Sequence, residues 1–363
     1  MQLYLKFILL LSFLTTSLFA SDSKYWLVED FQKINPVEKI LSENFNTIVQ
    51  NESVPITSTQ NKPAKIVIVY PGNQLSDYWR RSKLSFQKRL DELNIKYNLV
   101  DYFTKPAALR EQSKQLLKAI KSDTDYLVFT LDIKKHSKFI ERIISNKKPK
   151  LILQNITTPL KKWANKQPFF YVGFDHVIGS KMLAKYYLEN SNKKGSYAVL
   201  YGTNGYVSSM RGQEFINFMN EYSHLKLVDS YYTNFNKEKA MAVTNEILDA
   251  NKKLDFIYAC STDIALGVVE VLKQRKLIGK IKVNGWGGGS SELEAISKNL
   301  LDVTVMRMND DNGVAMAEAI KLDLEGKNKE IPQIYSGDFK LVKKGINQKT
   351  LKEFKDRAFR YTK

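Results

Sequence analysis

The sequence contains one cysteine, three histidines and, beyond its first twenty residues, no long apolar run. Because Cys260 has no second cysteine to pair with, an internal disulfide framework is excluded, and we expect Cys260 to be buried and inert. His136, His176 and His224 stand in no zinc-binding spacing such as H-E-x-x-H, and no G-x-S-x-G nucleophile motif occurs. The chain therefore offers neither a recognisable metal site nor a nucleophile–base pair, which argues against an enzyme.

The first twenty residues differ in character from the rest of the chain. Lys6 supplies a short positive segment, residues 7–18 are apolar or small, and Ala20 precedes a polar stretch. This layout is typical of a secretory signal peptide, which we predict for residues 1–20 and which would direct the protein to the periplasm. A retained N-terminal anchor is the alternative. After residue 20 no segment reaches the ~18 apolar residues of a transmembrane helix, so we expect no direct membrane insertion of the mature chain.

The charge balance is strongly basic, with 56 Lys and Arg against 38 Asp and Glu and a net charge of +18. Such a balance can indicate a nucleic acid or an anionic membrane as partner. Here the basic residues are scattered as singles and pairs, so we interpret them as a solvated surface and expect no nucleic-acid partner. The excess charge still favours an acidic partner surface or an anionic ligand.

From residue 65 onward, short apolar runs alternate with amphipathic stretches. Runs that are apolar on both faces are typical of parallel strands covered by helices, so the alternation predicts doubly wound α/β sheets. A chain of 363 residues exceeds the ~250–300 residues of a single core. We therefore predict two parallel-sheet α/β lobes with a ligand cleft between them.

The predicted lobes are each built from two separate parts of the chain. Residues 21–64 form an N-terminal helical segment and a linker, residues 65–174 and 308–335 form the N-terminal lobe, and residues 175–307 and 336–363 form the C-terminal lobe. Ligands of such sheets bind beyond the carboxyl ends of the strands. The loops that follow the strands are therefore the place to look for a binding site.

Two loops of the first lobe carry candidate ligand groups. Gln74 and Ser76 follow the first strand and offer an amide and a hydroxyl group, while Asp77 is interpreted as the N-cap of the next helix. Trp79 comes too early in that helix for its buried stripe, so we place it at the rim of the cleft. Asn155 follows another strand and fits either a tight turn or a ligand contact.

The second lobe supplies the charged candidates. Arg211 is predicted to open a helix, where the macrodipole disfavours a cation, so either a functional role or a surface position explains it. Thr262 fits a helix cap or a ligand contact, and Trp286, which stands among glycines with little core to join, is predicted to face the ligand. Arg307 follows a buried strand and needs a partner, either an anionic ligand or a carboxylate such as Asp310.

Six segments and the C-terminal end of the chain resemble one known family over nearly the whole mature sequence. These segments resemble the LuxP family of periplasmic autoinducer-2 receptors of quorum sensing, a ribose-binding-like branch of the periplasmic binding proteins. The matching segments are Tyr70–Trp79, Leu151–Pro159, Tyr171–His176, Ile257–Asp263, Asn284–Ser290, Val305–Asp311 and the ending Ala358–Tyr361. The sequence departs from the family at Leu75, at Arg80 and in the loop of residues 202–209.

The resemblance implies a specific ligand and partner. The ligand would be autoinducer-2, a furanosyl borate diester, with boron present only as part of the ligand and no separate cofactor. Two arginines would neutralise the borate and two tryptophans would line the pocket. The partner would be a membrane-bound hybrid sensor kinase of the LuxQ type, regulated by lobe closure. The residues implied in ligand contact are Gln74, Ser76, Trp79, Asn155, Arg211, Thr262, Trp286 and Arg307.

Two other functions share the predicted architecture. A periplasmic sugar-binding protein of an ABC transporter would have the same fold and export signal, but neutral sugars rarely need two arginines in the cleft. A transcriptional repressor with these lobes would need an N-terminal helix-turn-helix, and the predicted signal peptide stands there instead.

Overall fold

The computed structural model describes residues 24–130, 134–146, 148–164, 166–191, 194–222, 224–250 and 253–363. Within them the chain forms two six-stranded sheets that are flanked by helices. The predicted architecture of two parallel-sheet α/β lobes is confirmed. The signal peptide predicted for residues 1–20 lies outside the described residues, and the residue boundaries of the lobes stay predictions. None of the described helices is long and apolar enough to cross a membrane.

Six strands belong to each sheet. The first sheet has the order β11-β5-β4-β3-β1-β2, and the second has the order β12-β10-β9-β8-β6-β7. The pairings are parallel except that of β12 with β10. The strands are β1 (Ala64–Tyr70), β2 (Tyr97–Phe103), β3 (Tyr126–Phe129), β4 (Lys150–Gln154), β5 (Phe170–Gly173), β6 (Gly195–Tyr201), β7 (Leu225–Tyr232), β8 (Phe256–Ala259), β9 (Lys282–Gly287), β10 (Val303–Arg307), β11 (Ile334–Ser336) and β12 (Phe339–Lys343).

Strand composition explains the position of each strand in its sheet. The central strands β3, β8 and β10 are buried along their whole length, as expected for apolar runs covered on both faces. The edge strands β2 and β7 contain polar residues and are only partly buried. A polar edge also discourages pairing with the strands of another molecule.

Helices connect the strands and flank both sheets. The chain crosses between the sheets after β5, after β10 and between β11 and β12. The helices are α1 (Val28–Ile34), α2 (Pro36–Gln50), α3 (Tyr78–Glu92), α4 (Leu109–Lys121), α5 (Lys134–Asn146), α6 (His176–Asn190), α7 (Tyr206–Ser208), α8 (Glu214–Met219), α9 (Lys237–Ala250), α10 (Thr262–Gln274), α11 (Ser290–Ser297), α12 (Asp310–Leu324) and α13 (Gln348–Ala358). A π-helical segment, Ser209–Gln213, joins α7 to α8.

The N-terminal helix α2 is packed onto the first lobe. The carboxylate of Glu38 accepts a 2.9 Å hydrogen bond from the backbone N–H of Ile334 in β11. The ring of Phe45 is fully buried and lies edge-on to Phe170 and Tyr335. This helix therefore covers part of the core of the first lobe, next to the edge strand β11.

Helices α3 and α12 make the closest helix–helix contact of the first lobe. A Cβ atom added to Gly313 of α12 would lie 2.1 Å from Oγ of Ser85 and 2.6 Å from the carbonyl oxygen of Ser82 in α3. A buried ion pair joins the same two helices, with Nη2 of Arg89 2.6 Å from Oε1 of Glu318. The crossover helix α12 is thus fixed against α3 at short range.

We expect Gly313→Ala to destabilise the first lobe, because its new methyl group would collide with backbone and side-chain atoms of α3. Overpacking of this kind costs about 1–3 kcal/mol. Urea denaturation followed by far-UV circular dichroism measures the loss. Lys321→Ala on the same helix is the control and should change stability by no more than about 0.5 kcal/mol. Equal stability of the two variants would contradict the close contact.

Candidate functional site: the interlobe cavity

A cavity lies between the carboxyl ends of the two sheets. The space free of protein atoms between its lining residues is about 630 Å³, which includes the part that is open to solvent. All eight residues proposed from the sequence line it, although their contact with a ligand stays a prediction. They are Gln74, Ser76, Trp79, Asn155, Arg211, Thr262, Trp286 and Arg307.

Arg211 occupies the middle of a helical stretch. The sequence-based prediction that it opens a helix is wrong, because the helical conformation already begins at Tyr206 and continues through the π-helical segment to α8. Single π-helical turns are frequent at functional sites. Nη1 of Arg211 donates a 2.8 Å hydrogen bond to the carbonyl oxygen of Cys260, and the guanidinium lies 3.8 Å above the ring of Trp286.

Arg307 extends from the end of β10 into the same cavity. Its guanidinium lies 4.0 Å from the centre of the Tyr78 ring, and its Nε has no hydrogen-bond partner. Gly287, at φ 140°, leaves room for Nη2, since a Cβ atom there would come within 2.3 Å of it. The alternative partner Asp310 is excluded, because its carboxylate accepts hydrogen bonds from the backbone N–H of Tyr361 and from the hydroxyl of Thr362 instead.

The two arginines concentrate positive charge in a site with little water. Arg211 is 4% exposed and Arg307 is 5% exposed. Within the described part of the chain neither forms an ion pair with a carboxylate. Burial, followed by the charge of Arg307, lowers the pKa of Arg211 to about 9, and burial lowers the pKa of Arg307. Both remain charged at neutral pH, so the cavity attracts anions.

The two tryptophans are core residues as well as lining residues. Trp286 is 1% exposed and packs edge-on against Phe339, so the view that it has little core to join is wrong. Its indole N–H donates a 3.0 Å hydrogen bond to the hydroxyl of Tyr258 and is not free for a ligand. Trp79 is 4% exposed and packs on Tyr70, with ring centres 4.7 Å apart. The prediction that it comes too early for the buried stripe of its helix is wrong, because it is one of the buried residues of α3. Both therefore present apolar ring surface to the cavity from fixed positions.

Asn155 has the backbone conformation of a tight turn and a side chain that lines the cavity, while its contact with a ligand stays a prediction. Its backbone is in the left-handed region, with φ 65°, as a tight turn requires. Its side-chain Oδ1 is buried without a hydrogen-bond partner and lines the cavity. An unpaired buried oxygen of this kind is expected to accept a hydrogen bond from a bound molecule.

Several other polar groups of the lining already form hydrogen bonds within the protein. The hydroxyl of Ser261 caps α10 by accepting a hydrogen bond from the N–H of Ile264, which leaves Thr262 free of the capping role considered from the sequence. The amide nitrogen of Gln74 donates to the carbonyl oxygen of Pro71. The hydroxyl of Ser76 accepts a long 3.5 Å hydrogen bond from the N–H of Tyr78.

Sequence reasoning missed nine residues of the lining. Tyr78 carries a buried hydroxyl, and its position directly before Trp79 in the sequence could have indicated that it lines the cavity. His136 and Thr130, in contrast, reach the cavity from a part of the chain with no motif, and both carry a buried side-chain atom without a partner. The additional lining residues are Pro71, Tyr78, Pro106, Gln112, Thr130, His136, Val207, Phe235 and Ser261.

Direct hydrogen bonds join the two lobes at the mouth of the cavity. The carboxylate of Asp263, at the start of α10, accepts hydrogen bonds of 2.9 and 3.3 Å from the backbone N–H groups of Leu75 and Ser76 in the first lobe. Asp77 reaches in the opposite direction and accepts from the N–H and hydroxyl of Ser290. Asp77 does occupy the N-cap position of α3, but its side chain makes no capping hydrogen bond. These contacts hold the lobes in a closed arrangement.

Comparison with known proteins places this architecture in a family. A model of the periplasmic binding protein domain matches residues 66–328, which is more than half of the chain. The chain belongs to the periplasmic binding protein family. The prediction of that broad family is therefore confirmed, whereas membership of its autoinducer-2 receptor branch stays a prediction.

Individual relatives are about a quarter identical to this binding protein over the part of the chain that aligns with them. The D-allose-binding periplasmic protein of Escherichia coli is 25% identical over 184 residues, which cover 50% of this chain and 59% of the relative. The ribose import binding protein RbsB of Bacillus subtilis is 27% identical over 158 residues, which cover 43% of this chain and 50% of the relative. The matches thus span about half the length of these relatives.

Solved structures confirm the fold over about four fifths of this chain and nearly the whole of theirs. An ABC transporter periplasmic solute binding protein from Actinobacillus succinogenes, solved with bound D-allose, superimposes with a TM-score of 0.67 and 24% identity, covering 78% of this binding protein and 98% of that chain. A solute binding protein from Agrobacterium vitis, bound with alpha-D-tagatopyranose, gives a TM-score of 0.71 at 15% identity, covering 80% and 98%.

We expect Asp263→Ala to open the binding protein, because two interlobe hydrogen bonds to a carboxylate are lost. Hydrogen bonds to charged groups contribute about 1.5–3 kcal/mol each. Small-angle X-ray scattering should show a larger radius of gyration for the variant in the absence of ligand. The control is Asp249→Ala, which removes an aspartate paired with Arg275 within the second lobe. An unchanged radius for Asp263→Ala would show that these bonds do not hold the lobes together.

Proposed function

We propose that this protein captures a small cyclic ligand that carries both hydroxyl groups and negative charge, and that the furanosyl borate diester autoinducer-2 is that ligand. The observation that carries the proposal is the pair of buried, carboxylate-free guanidinium groups of Arg211 and Arg307 in one cavity. The proposed activity is recognition and signalling rather than catalysis.

The charge argument follows from the cost of burying an unpaired ion. A buried cation without a partner is expensive, and two of them also repel each other. The repulsion is visible in the pKa of Arg211, which the charge of Arg307 lowers. An anion bound between the two side chains would remove both penalties at once. A neutral ligand would satisfy their hydrogen-bond donors but not their charge.

The remaining lining suits the ring and hydroxyl groups of such a ligand. Asn155 offers an unpaired amide oxygen, and Thr262 offers a hydroxyl that is not used as a helix cap. The ring surfaces of Trp79 and Trp286 would contact the apolar faces of the ligand. Gln74 and Ser76 would bind from the loop that also carries the interlobe hydrogen bonds.

A sugar-binding protein of an ABC transporter is the second candidate, and the comparisons favour it. The curated relatives are named for binding D-allose and importing ribose, and the solved structures contain sugars. A cyclic sugar shares the hydroxylated ring of the proposed ligand but is neutral. Ligand charge distinguishes the two candidates, and the arginines are the feature of the cavity that responds to it.

Ligand-driven closure would provide the signal. Arg211 belongs to the second lobe and Arg307 lies where the chain crosses to the first, so a ligand that contacts both together with Asn155 is bound best when the lobes are closed. A ligand shifts a conformational equilibrium only through its higher affinity for one state. The closed surface would then be read by a membrane-bound hybrid sensor kinase of the LuxQ type.

Titration calorimetry with the autoinducer-2 precursor, with and without borate, and with ribose, tests the proposal. We expect binding that depends on borate and that Arg307→Ala weakens roughly a hundredfold or more, since removing one member of a buried charge pair costs about 2–5 kcal/mol.

The matched control is Arg275→Ala, which removes a surface arginine of the same lobe. This variant should bind like the unmodified protein. Ribose binding without borate that survives Arg307→Ala would reject the anionic ligand and establish the sugar-binding alternative.

A further inference from the structure

His176 lies behind the ligand cavity at the point where the chain crosses from β5 into α6. It is 1% exposed. Its Nε2 is 3.1 Å from the backbone carbonyl oxygen of Asn155, and its Nδ1 is 3.4 Å from Nε of Arg211. One side chain therefore contacts two residues of the proposed ligand site, one on each lobe.

The two contacts determine the state of the imidazole ring. A carbonyl oxygen can only accept, so Nε2 of His176 must carry the hydrogen that is donated to Asn155. The Nε–H of Arg211 can only donate, so Nδ1 must be without a hydrogen. The ring is therefore neutral and in the Nε2–H tautomer, since a protonated ring has no acceptor.

The surroundings favour this neutral state. Burial, followed by the charge of Arg211, holds the pKa of His176 well below its usual value of 6.5, and Arg307 acts in the same direction. The nearest carboxylate in sequence, Asp175, accepts hydrogen bonds from the first backbone N–H groups of α6. The hydroxyl of Tyr206, whose ring lies 5.7 Å away, is hydrogen-bonded by Thr158.

The backbone around Asn155 is equally constrained. The N–H of Asn155 donates a 2.8 Å hydrogen bond to the carbonyl oxygen of Val172. A Cβ atom at Gly173 would lie 3.1 Å from the Cα atom of Asn155, so the crossover strand passes directly against this turn. His176 completes the arrangement by binding the carbonyl oxygen of the same residue.

The guanidinium of Arg211 is left with one free edge. Nε is directed to His176, Nη1 is directed to the carbonyl oxygen of Cys260, and one face lies on Trp286. Nη2 makes no hydrogen bond to any described residue. The edge that carries Nη2 is therefore the part available to a ligand, and its direction depends on the acceptor at Nδ1.

We propose that His176 is a positioning residue that aligns Arg211 of the second lobe with Asn155 of the first and so sets the geometry in which an anionic ligand is bound. The inference rests on the proposed function, because it takes Arg211 to contact the ligand. His176 itself does not line the cavity. It acts through the two residues that do.

The ring state can be measured without any ligand. Nitrogen NMR of the full chain labelled at histidine should show His176 with a protonated Nε2 and an unprotonated Nδ1, and it should stay neutral below pH 6, where a free imidazole becomes charged. A hydrogen on Nδ1, or protonation like that of a free histidine, overturns the proposal whatever the ligand proves to be.

Two isosteric variants separate the two contacts. His176→Asn keeps an oxygen near the position of Nδ1 that accepts from Arg211, and His176→Gln keeps a nitrogen near Nε2 that donates to Asn155. With the autoinducer-2 precursor and borate as probe, we expect His176→Gln to weaken binding about tenfold or more and His176→Asn to retain most of the affinity. His224→Gln, at an exposed histidine, is the control.

A double-mutant cycle excludes a merely structural role. If His176 acts through Arg211, His176→Gln should cause no further loss of affinity in an Arg211→Ala background. Losses that add overturn the proposal while the proposed function stands. If Arg211→Ala alone has no effect, the proposed function fails instead. The positioning role is then judged by the NMR resonance of the Arg211 Nε–H, which should move in His176→Gln and not in His176→Asn.

Discussion

Two buried guanidinium groups that form no ion pair with a carboxylate of the described residues line one cavity, and much of the site is arranged around this constraint. Arg211 is supported by a backbone carbonyl oxygen and the face of Trp286, and Arg307 by the face of Tyr78. Aromatic faces and carbonyl oxygens stabilise a cation without neutralising it. The positive charge is thus preserved for a ligand, whereas a nearby aspartate would have cancelled it.

The acidic residues near the cleft are engaged in hydrogen bonds of their own rather than in ion pairs with the two arginines. Asp263 binds backbone N–H groups of the opposite lobe, Asp77 binds Ser290, and Asp310 binds the C-terminal residues 361 and 362. Each carboxylate joins parts of the chain that are distant in sequence. These carboxylates would have cancelled the positive charge of the arginines if they had paired with them. Instead, they join the two lobes and bind the C-terminal residues.

The fold and the eight proposed residues of the site could be predicted from the sequence, whereas the local structure and contacts of several residues could not. Apolar runs alternating with amphipathic stretches indicated the sheets, and the rule that ligands bind at strand ends led to seven of the eight proposed residues, with Arg211 as the exception; all eight line the cavity. The prediction that the helix begins at Arg211 was wrong, since a π-helical turn has no signal in residue propensities. Asp77 does occupy the predicted N-cap position, but its contact with Ser290 could not be predicted, because Ser290 is more than two hundred residues away in sequence.

His136 and His176 show why position in a pattern is a weak guide for single polar residues. Both are buried, yet His136 has an Nε2 without a partner and lines the cavity, while both nitrogens of His176 are engaged behind it. Neither outcome follows from neighbouring residues, since each depends on loops brought together by the crossovers between the lobes. In a cleft built from two lobes, the chemistry of a residue is decided by what the second lobe places opposite it, and for His176 that residue is Arg211.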